Sequence, residues 1–151
     1  RLILREDVVD SRLVKSLLDL SRQQPDESIV LSEPLFKSLS PVITPTGILA
    51  EISCAPRMPF EAGGGDVLAL AGVQDAGNLG TLLRSAVAAG IREAWLDAKT
   101  AQAWSPKALR AGMGAHFNLR IEQGCELVSR LGEDPRPCRV TCLEEDSISL
   151  F

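Results

Sequence analysis

An α/β fold built on a parallel sheet is predicted by three features of this chain. Val67, Leu68, Leu70 and Val73 form a short, nearly all-apolar run between Gly63–Gly65 and Asp75–Gly77, the pattern of a strand covered on both faces. A helix follows at once: Leu79, Leu82, Leu83, Ala86 and Val87 fall in one arc at about 100° per residue, with Thr81, Arg84 and Ser85 in the opposite one. The chain has 151 residues, 45% of them hydrophobic. At that length about 68–70% of the unfolded surface can be buried, enough for one full domain or two partial ones.

In chain order, residues 1–27 read as an amphipathic helix built on Val9, Leu13, Leu17 and Leu20. Pro56 to Gly65, PRMPFEAGGG, reads as a flexible linker. The domains implied are therefore 1–55 and 66–151, with 56–65 between them. After the strand at Val67, Asn78 stands where a helix N-cap would, its side-chain oxygen able to accept from the Gly80 or Thr81 amide, and Gly90 closes the helix as its C′ residue. Arg84 then points away from the sheet. Further on, Ser105 before Pro106 reads as N-cap followed by N1, and Gly112 and Gly114 end that helix within two turns. Lys107 and Arg110 share a face of it.

Ligands in open α/β sheets collect at the carboxyl ends of strands, where loops and helix N-termini offer free amides. Asn78 and Arg84 lie at such a place. Spacing alone equally fits a cap and a solvated helix residue, just as Lys107 and Arg110 fit a plain surface connection. The glycines at 72, 77 and 80 do not spell the dinucleotide pattern G-x-G-x-x-G, although Asp97 would supply its acidic residue. Gly77-Asn78-Leu79-Gly80 spells the GXXG of a KH module, but that loop joins two helices and here a strand precedes it.

Lys and Arg number 16 against 20 Asp and Glu, a formal charge of −4, which argues against indiscriminate binding to phosphates. Any nucleic-acid contact has to be local, with Arg84, Arg92, Lys107, Arg110 and Arg120 as the basic candidates and acidic segments at Asp26–Glu33 and Glu144–Asp146 set against them. No apolar run approaches the ~18 residues that a spanning helix needs. Cys54, Cys125, Cys138 and Cys142 lack paired CxxC spacing and there is a single His, so neither a zinc site nor any other metal is expected, and free thiols are. His116 reads as a core or loop residue, and Trp95 and Trp104 read as packing groups because apolar residues adjoin both.

Asn78, Gly80 and Arg84 after the strand, and Arg110 to Gly114 with Phe117 following, resemble the two opening motifs of the SpoU family of RNA ribose 2′-O-methyltransferases in the SPOUT superfamily. Ile29 to Ile52, read as a strand, a short helix and a second strand introduced by Gly47, resembles the end of the small ribosomal-protein-like α/β/α RNA-binding domain that many members carry. The resemblance implies an α/β-knot methyltransferase domain, S-adenosylmethionine as cofactor, a homodimer when full length, and RNA as partner, rRNA before tRNA. It implies that Arg84 activates or deprotonates the ribose hydroxyl, with Asn78 holding the loop and the RNA backbone. Arginine ordinarily stays protonated, so a base and an orienting cation are both open readings. Lys107, Arg110 and Gly80 are then the RNA-binding candidates.

Two departures stand out: Ala76 where the family usually has proline, and Gly112 where serine or threonine is common. The family's cofactor loops are expected beyond Phe151, and the opening Arg1 fits a fragment. The alternative function is a non-catalytic RNA-binding or assembly module derived from a methyltransferase. Likeness of AWSPKALRAGMGAHF to organellar rRNA-modifying members implies a mitochondrial or plastid location, with the cytoplasm as alternative.

Overall fold

Two short β-branched or leucine-rich runs and the stretch after Gly47 make the first sheet: β1 (Leu2–Arg5), β2 (Ile29–Leu31) and β3 (Ile48–Ala50), in the order β2-β1-β3. The computed structural model describes residues 1–21, 28–52 and 65–141. The chain divides into two compact units, Arg1–Ala55 and Pro56–Phe151. The expected linker up to residue 64, Cys54, Cys142, Asp26 and Glu144–Asp146 lie outside the described residues.

In the first unit β1 is central, parallel to β2 and antiparallel to β3. The parallel pair requires a crossover, which α1 (Arg12–Ser21) provides, and α2 (Glu33–Leu39) then leads towards β3. Leu4, Val14 and Phe36 are its buried apolar residues. The strand, short helix and strand expected over 29–52 are present. The reading of 1–27 as one helix on Val9, Leu13, Leu17 and Leu20 needs correction. Residues 2–5 are a strand, Val9 precedes the helix, and Ser11 Oγ accepts from the Val14 amide at 3.3 Å to open it. The buried stripe is Val14 with half-buried Leu17 and Leu18, while Leu13 is 60% exposed, so of the expected stripe Leu17 is on the inner face and Leu13 is not. Gly47 takes φ +89°, and a Cβ there would come within 2.8 Å of Val8 Cγ1. A glycine is needed at that entry to β3.

The second unit is a parallel sheet of β4 (Val67–Leu70), β5 (Glu93–Leu96) and β6 (Arg120–Gln123) in that spatial order. Its connections run through α3 (Ala76–Ala88) and α4 (Pro106–Gly112), and α5 (Leu127–Glu133) follows β6. Because strand side chains alternate, the sheet has two unlike faces. Leu68, Leu70, Ala94, Leu96 and Ile121 pack with Leu79 and Leu83 of α3 and with Ala103, Ala115 and Leu119 into one apolar cluster. On the other face Trp95, 3% exposed, lies under the Arg130 guanidinium at 4.1 Å and donates from Nε1 to Glu93 Oε1 at 2.9 Å. Glu122 is shared there by Arg120 and Arg130. Trp95 thus packs, as expected. The strand at Val67 ends at Leu70, short of Val73, and Val67 to Ala69 are half-buried on an outer strand of the described sheet.

Helix α3 buries Leu79, Gly80, Leu83 and Ala86, whereas Leu82, expected in the same arc, is 39% exposed at its edge. Its C-terminus is as predicted: Gly90 has φ +88°, its amide donates to Val87 O at 3.0 Å, and the Ile91 amide donates to Ala86 O at 2.9 Å. That pair of bonds satisfies carbonyls that the helix end would leave orphaned.

Candidate active site at the carboxyl edge of the second sheet

The chain leaves β4 at Leu70, crosses the sheet edge over residues 71–74 and enters α3 at Asp75. Asp75, not Asn78, is the N-cap: its Oδ1 accepts from the Asn78 amide at 2.8 Å. The cap expected at Asn78 is therefore displaced by three residues, since an aspartate in extended geometry just before the helix accepts from the amide of the third helical residue, Asn78 itself. Asn78 sits in the first turn with its side chain exposed and unspent on the helix. Arg84 is exposed as predicted, and among the described residues neither the Arg84 nor the Arg110 side chain has an ion-pair or hydrogen-bond partner.

Asn78 and Arg84 are not adjacent. Helical geometry sets them about 120° apart around α3 and about 9 Å apart along it. A substrate spanning both would lie across the exposed face of the helix rather than in a pit.

Helix α4 begins as predicted, with Ser105 Oγ accepting from the Ala108 amide at 3.4 Å and Pro106 in the first turn. Lys107 is not free: its Nζ pairs with Asp75 Oδ2, which joins the N-terminus of α4 to that of α3. The ammonium holds the Asp75 carboxyl below the ordinary aspartate range, helped by the Asn78 amide. Gly80 is buried, and a Cβ on it would meet Ala108 O at 2.4 Å, Ala111 Cβ at 2.7 Å and the Gly112 amide at 2.8 Å. Its place is thus the crossing of α3 and α4, so Gly80, expected among the RNA-binding residues, is a packing residue.

Helix α4 ends in two consecutive left-handed residues, Met113 at φ 47° and Gly114 at φ 88°. The turn after them buries His116 to 4% exposure, with Nε2 donating to Ala103 O at 2.8 Å and Trp104 tilted against the ring at 5.3 Å. Nδ1 has no partner among the described residues. A Cβ on Gly112 would stand 2.6 Å from His116 Cε1, which explains glycine in place of a larger residue there. His116 is a core residue, and burial pushes its pKa down.

Two further side chains shape this edge. Asp97 Oδ1 accepts from the Gly72 amide at 3.1 Å, the Thr100 amide at 2.8 Å and Thr100 Oγ1 at 2.6 Å. The Thr100 hydroxyl, foremost, and the Gly72 amide hold the Asp97 carboxyl below its usual range. Sequence reasoning admits Asp97 only as a dinucleotide-type acid and passes over Thr100. A single acid just past the apolar run of β5 is the signal that points to a loop tie. Among the described residues no group of three or more His, Cys, Asp and Glu is arranged to hold a metal ion, and Cys125 and Cys138 are free thiols.

Comparison with known proteins gives the following. The SpoU rRNA Methylase family matches residues 66–148. Mitochondrial rRNA methyltransferase 3 of Mus musculus is 39% identical over 98 residues, 60% of this chain and 23% of the relative. The 23S rRNA (guanosine(2553)-2′-O)-methyltransferase RlmP of Bacillus subtilis is 38% identical over 94 residues, 61% of this chain and 36% of the relative. The chain spans about a quarter to a third of the length of these relatives. Among solved structures, an RNA methyltransferase of the TrmH family from Porphyromonas gingivalis superposes with TM-score 0.58 at 27% identity, over 90% of this chain and 59% of that one. The SpoU methyltransferase AviRb from Streptomyces viridochromogenes, in complex with AdoMet, shares the fold with TM-score 0.65 at 21% identity, over 87% of this chain and 50% of that one. With its parallel sheet, its first-turn Asn78 and its exposed Arg84, the chain belongs to the SpoU rRNA methylase family.

Proposed function

We propose that the full-length protein is an rRNA ribose 2′-O-methyltransferase using S-adenosylmethionine. The carrying observation is the exposed side of α3, where Asn78 and an unpartnered Arg84 follow a parallel strand at its carboxyl end. The 2′-O position is supported by the relative from Bacillus subtilis, and the methyl donor by the AdoMet in the AviRb structure.

In this reading the described residues serve the RNA side. The edge of the sheet carries the Asp97–Thr100 ties and the Asp75–Lys107 pair. S-adenosylmethionine supplies an electrophilic methyl group when bound. Arg84 clamps an RNA phosphate and places its charge where the attacking ribose oxygen becomes anionic, which lowers the cost of passing the hydroxyl proton to water. Asn78, with both an amide donor and an acceptor free of the helix, holds the RNA backbone at the entry to α3. Arg110 and Lys107 contact phosphates, Arg110 more strongly because Lys107 is already paired. Residues 1–55 serve as part of an RNA substrate-binding domain. The enzyme works as a homodimer and, like the rRNA methyltransferase 3 proteins, in mitochondria.

The test is transfer of labelled methyl from S-adenosylmethionine to rRNA by the purified full-length protein, with the product mapped by reverse-transcription stops at 2′-O-methylated nucleotides. Arg84→Ala should reduce transfer by roughly 100-fold or more while leaving donor affinity unchanged. Methyl groups found on bases, or undiminished transfer by Arg84→Ala, would contradict this reading.

A further inference from the structure

The four residues that carry the chain from β4 to α3 make few contacts of their own. Ala71, Gly72 and Gln74 are exposed and only Val73 is half-buried. What fixes this crossing, among the described residues, comes from one segment beyond β5. The Gly72 amide donates to Asp97 Oδ1 at 3.1 Å, the Val73 amide to Thr100 Oγ1 at 3.3 Å, and the Ala101 amide to Val73 O at 2.8 Å. The Asp97 amide donates to Leu70 O at 3.1 Å, tying the root of the crossing to the same place. Gly72 reaches its position with φ +66°, a conformation that side chains disfavour.

Thr100 is 6% exposed, and its hydroxyl has one proton to give. Of its two acceptors, Leu70 O at 3.2 Å and the Asp97 carboxylate at 2.6 Å, the nearer and charged one is the better, and donating there leaves the hydroxyl oxygen to accept from the Val73 amide. Asp97 therefore acts on the crossing twice, directly at Gly72 and through Thr100 at Val73. Charge-assisted bonds of this kind are the strong members of their class. The double tie thus holds the segment that leads into α3 and Asn78.

We propose that Asp97 is a positioning residue for methyl transfer, which with Thr100 as its relay holds the Gly72–Val73 crossing so that Asn78 and Arg84 meet the RNA in register. The proposal rests on the methyltransferase reading above. Such a residue touches neither substrate nor donor, so its loss should lower turnover and spare binding. A misplacement of the order of an ångström far from the chemistry can cost up to about 100-fold.

The experiment uses the full-length protein, assayed well below its melting temperature, with kcat, RNA KM and donor Kd measured separately. Asp97→Ala should lower kcat on the order of tenfold with both binding constants within about twofold. Asp97→Asn keeps an acceptor oxygen for the same amides and should recover turnover to within about threefold of the parent. Thr100→Val, nearly isosteric, should show the same kcat loss in milder form, and it decides the matter if Asp97→Ala does not fold. Amide exchange over residues 71–78 should quicken in Asp97→Ala. An Asp97→Ala enzyme with kcat within twofold of an active parent, a loss confined to KM, or unchanged exchange at 71–78 would overturn the proposal while leaving the functional reading intact. A folded parent that transfers no methyl group would instead remove that reading, and the proposal with it.

Discussion

His116 is the only histidine of the chain, and its surroundings determine how stability should respond to mild acid. The buried ring gives its Nε2 proton to Ala103 O and turns Nδ1 towards Gly112, where no acceptor waits. Charging the ring would bury an unpaired N–H, so the folded pKa is depressed below the ordinary value of 6.5. The unfolded chain then binds more protons than the folded one between the two values. Stability from this source is complete above about pH 6.5 and is lost as pH falls towards the depressed folded value. The melting temperature should drop as pH falls below about 6.5, and His116→Gln, which can still donate to Ala103 O, should flatten that slope. An equal slope in the variant would assign the effect to carboxylates instead. Burial of this residue is legible in its place between Ala115 and Phe117, but its orphaned nitrogen is not, because that depends on the backbone of α4 folding back over the ring. Asn78 carries the converse lesson. Its residue type suits a cap, yet Asp75 lies three positions earlier, and local sequence does not rank two competing caps whose backbone geometry is set by the sheet below.

The pairing of α3 with α4 is where element-level reasoning falls shortest, since the glycine that permits it looks like a motif residue. A methyl group at residue 80 would press on the backbone of α4 at Ala108 O and the Gly112 amide, atoms that cannot rotate away. Gly80→Ala gains up to about 1 kcal/mol in helix propensity but forces overpacking that costs about 1–3 kcal/mol. The variant should be less stable by chemical denaturation, with RNA binding reduced only through that loss. Unchanged stability would mean that the helices part easily. The N-termini of the same two helices are bridged by Asp75 and Lys107, whose side chains are 47% and 60% exposed. A pair that open contributes little, whereas the cap bond made by Asp75 satisfies a helix amide that would otherwise be orphaned. Asp75→Ala should therefore destabilise more than Lys107→Ala. The strand at Val67 and the helix after it are readable from periodicity and punctuation, as are the start at Ser105–Pro106 and the stop at Gly90, whereas β6 and α5 are not. The contact between helices is not, because it depends on the absence of a side chain.

At the scale of the molecule the issue is how a chain of net charge −4 would hold the RNA of the proposed reaction. The structure reduces the five basic candidates. Arg120 pairs with Glu122, Lys107 with Asp75, and Arg92 donates to Val87 O at 3.4 Å. Arg84 and Arg110 are left unpartnered among the described residues, one on each of two packed helices. Sequence composition could show that binding must be local, but not which cations are already spent, since the ion pairs join residues 32 positions apart as readily as neighbours. Two or three phosphate contacts release few counterions. For single-stranded RNA the slope of log K against log salt should then lie near −1.5 to −2 for this part of the protein, at about −0.7 per contact. Arg110→Ala should reduce that slope by about 0.7, whereas Lys107→Ala should change it less, because the ammonium it removes is already neutralised by Asp75. A binding titration of both variants over a range of salt separates the cases. Equal reductions would mean that RNA displaces Asp75 from Lys107, and no reduction in Arg110→Ala would move the RNA path away from α4.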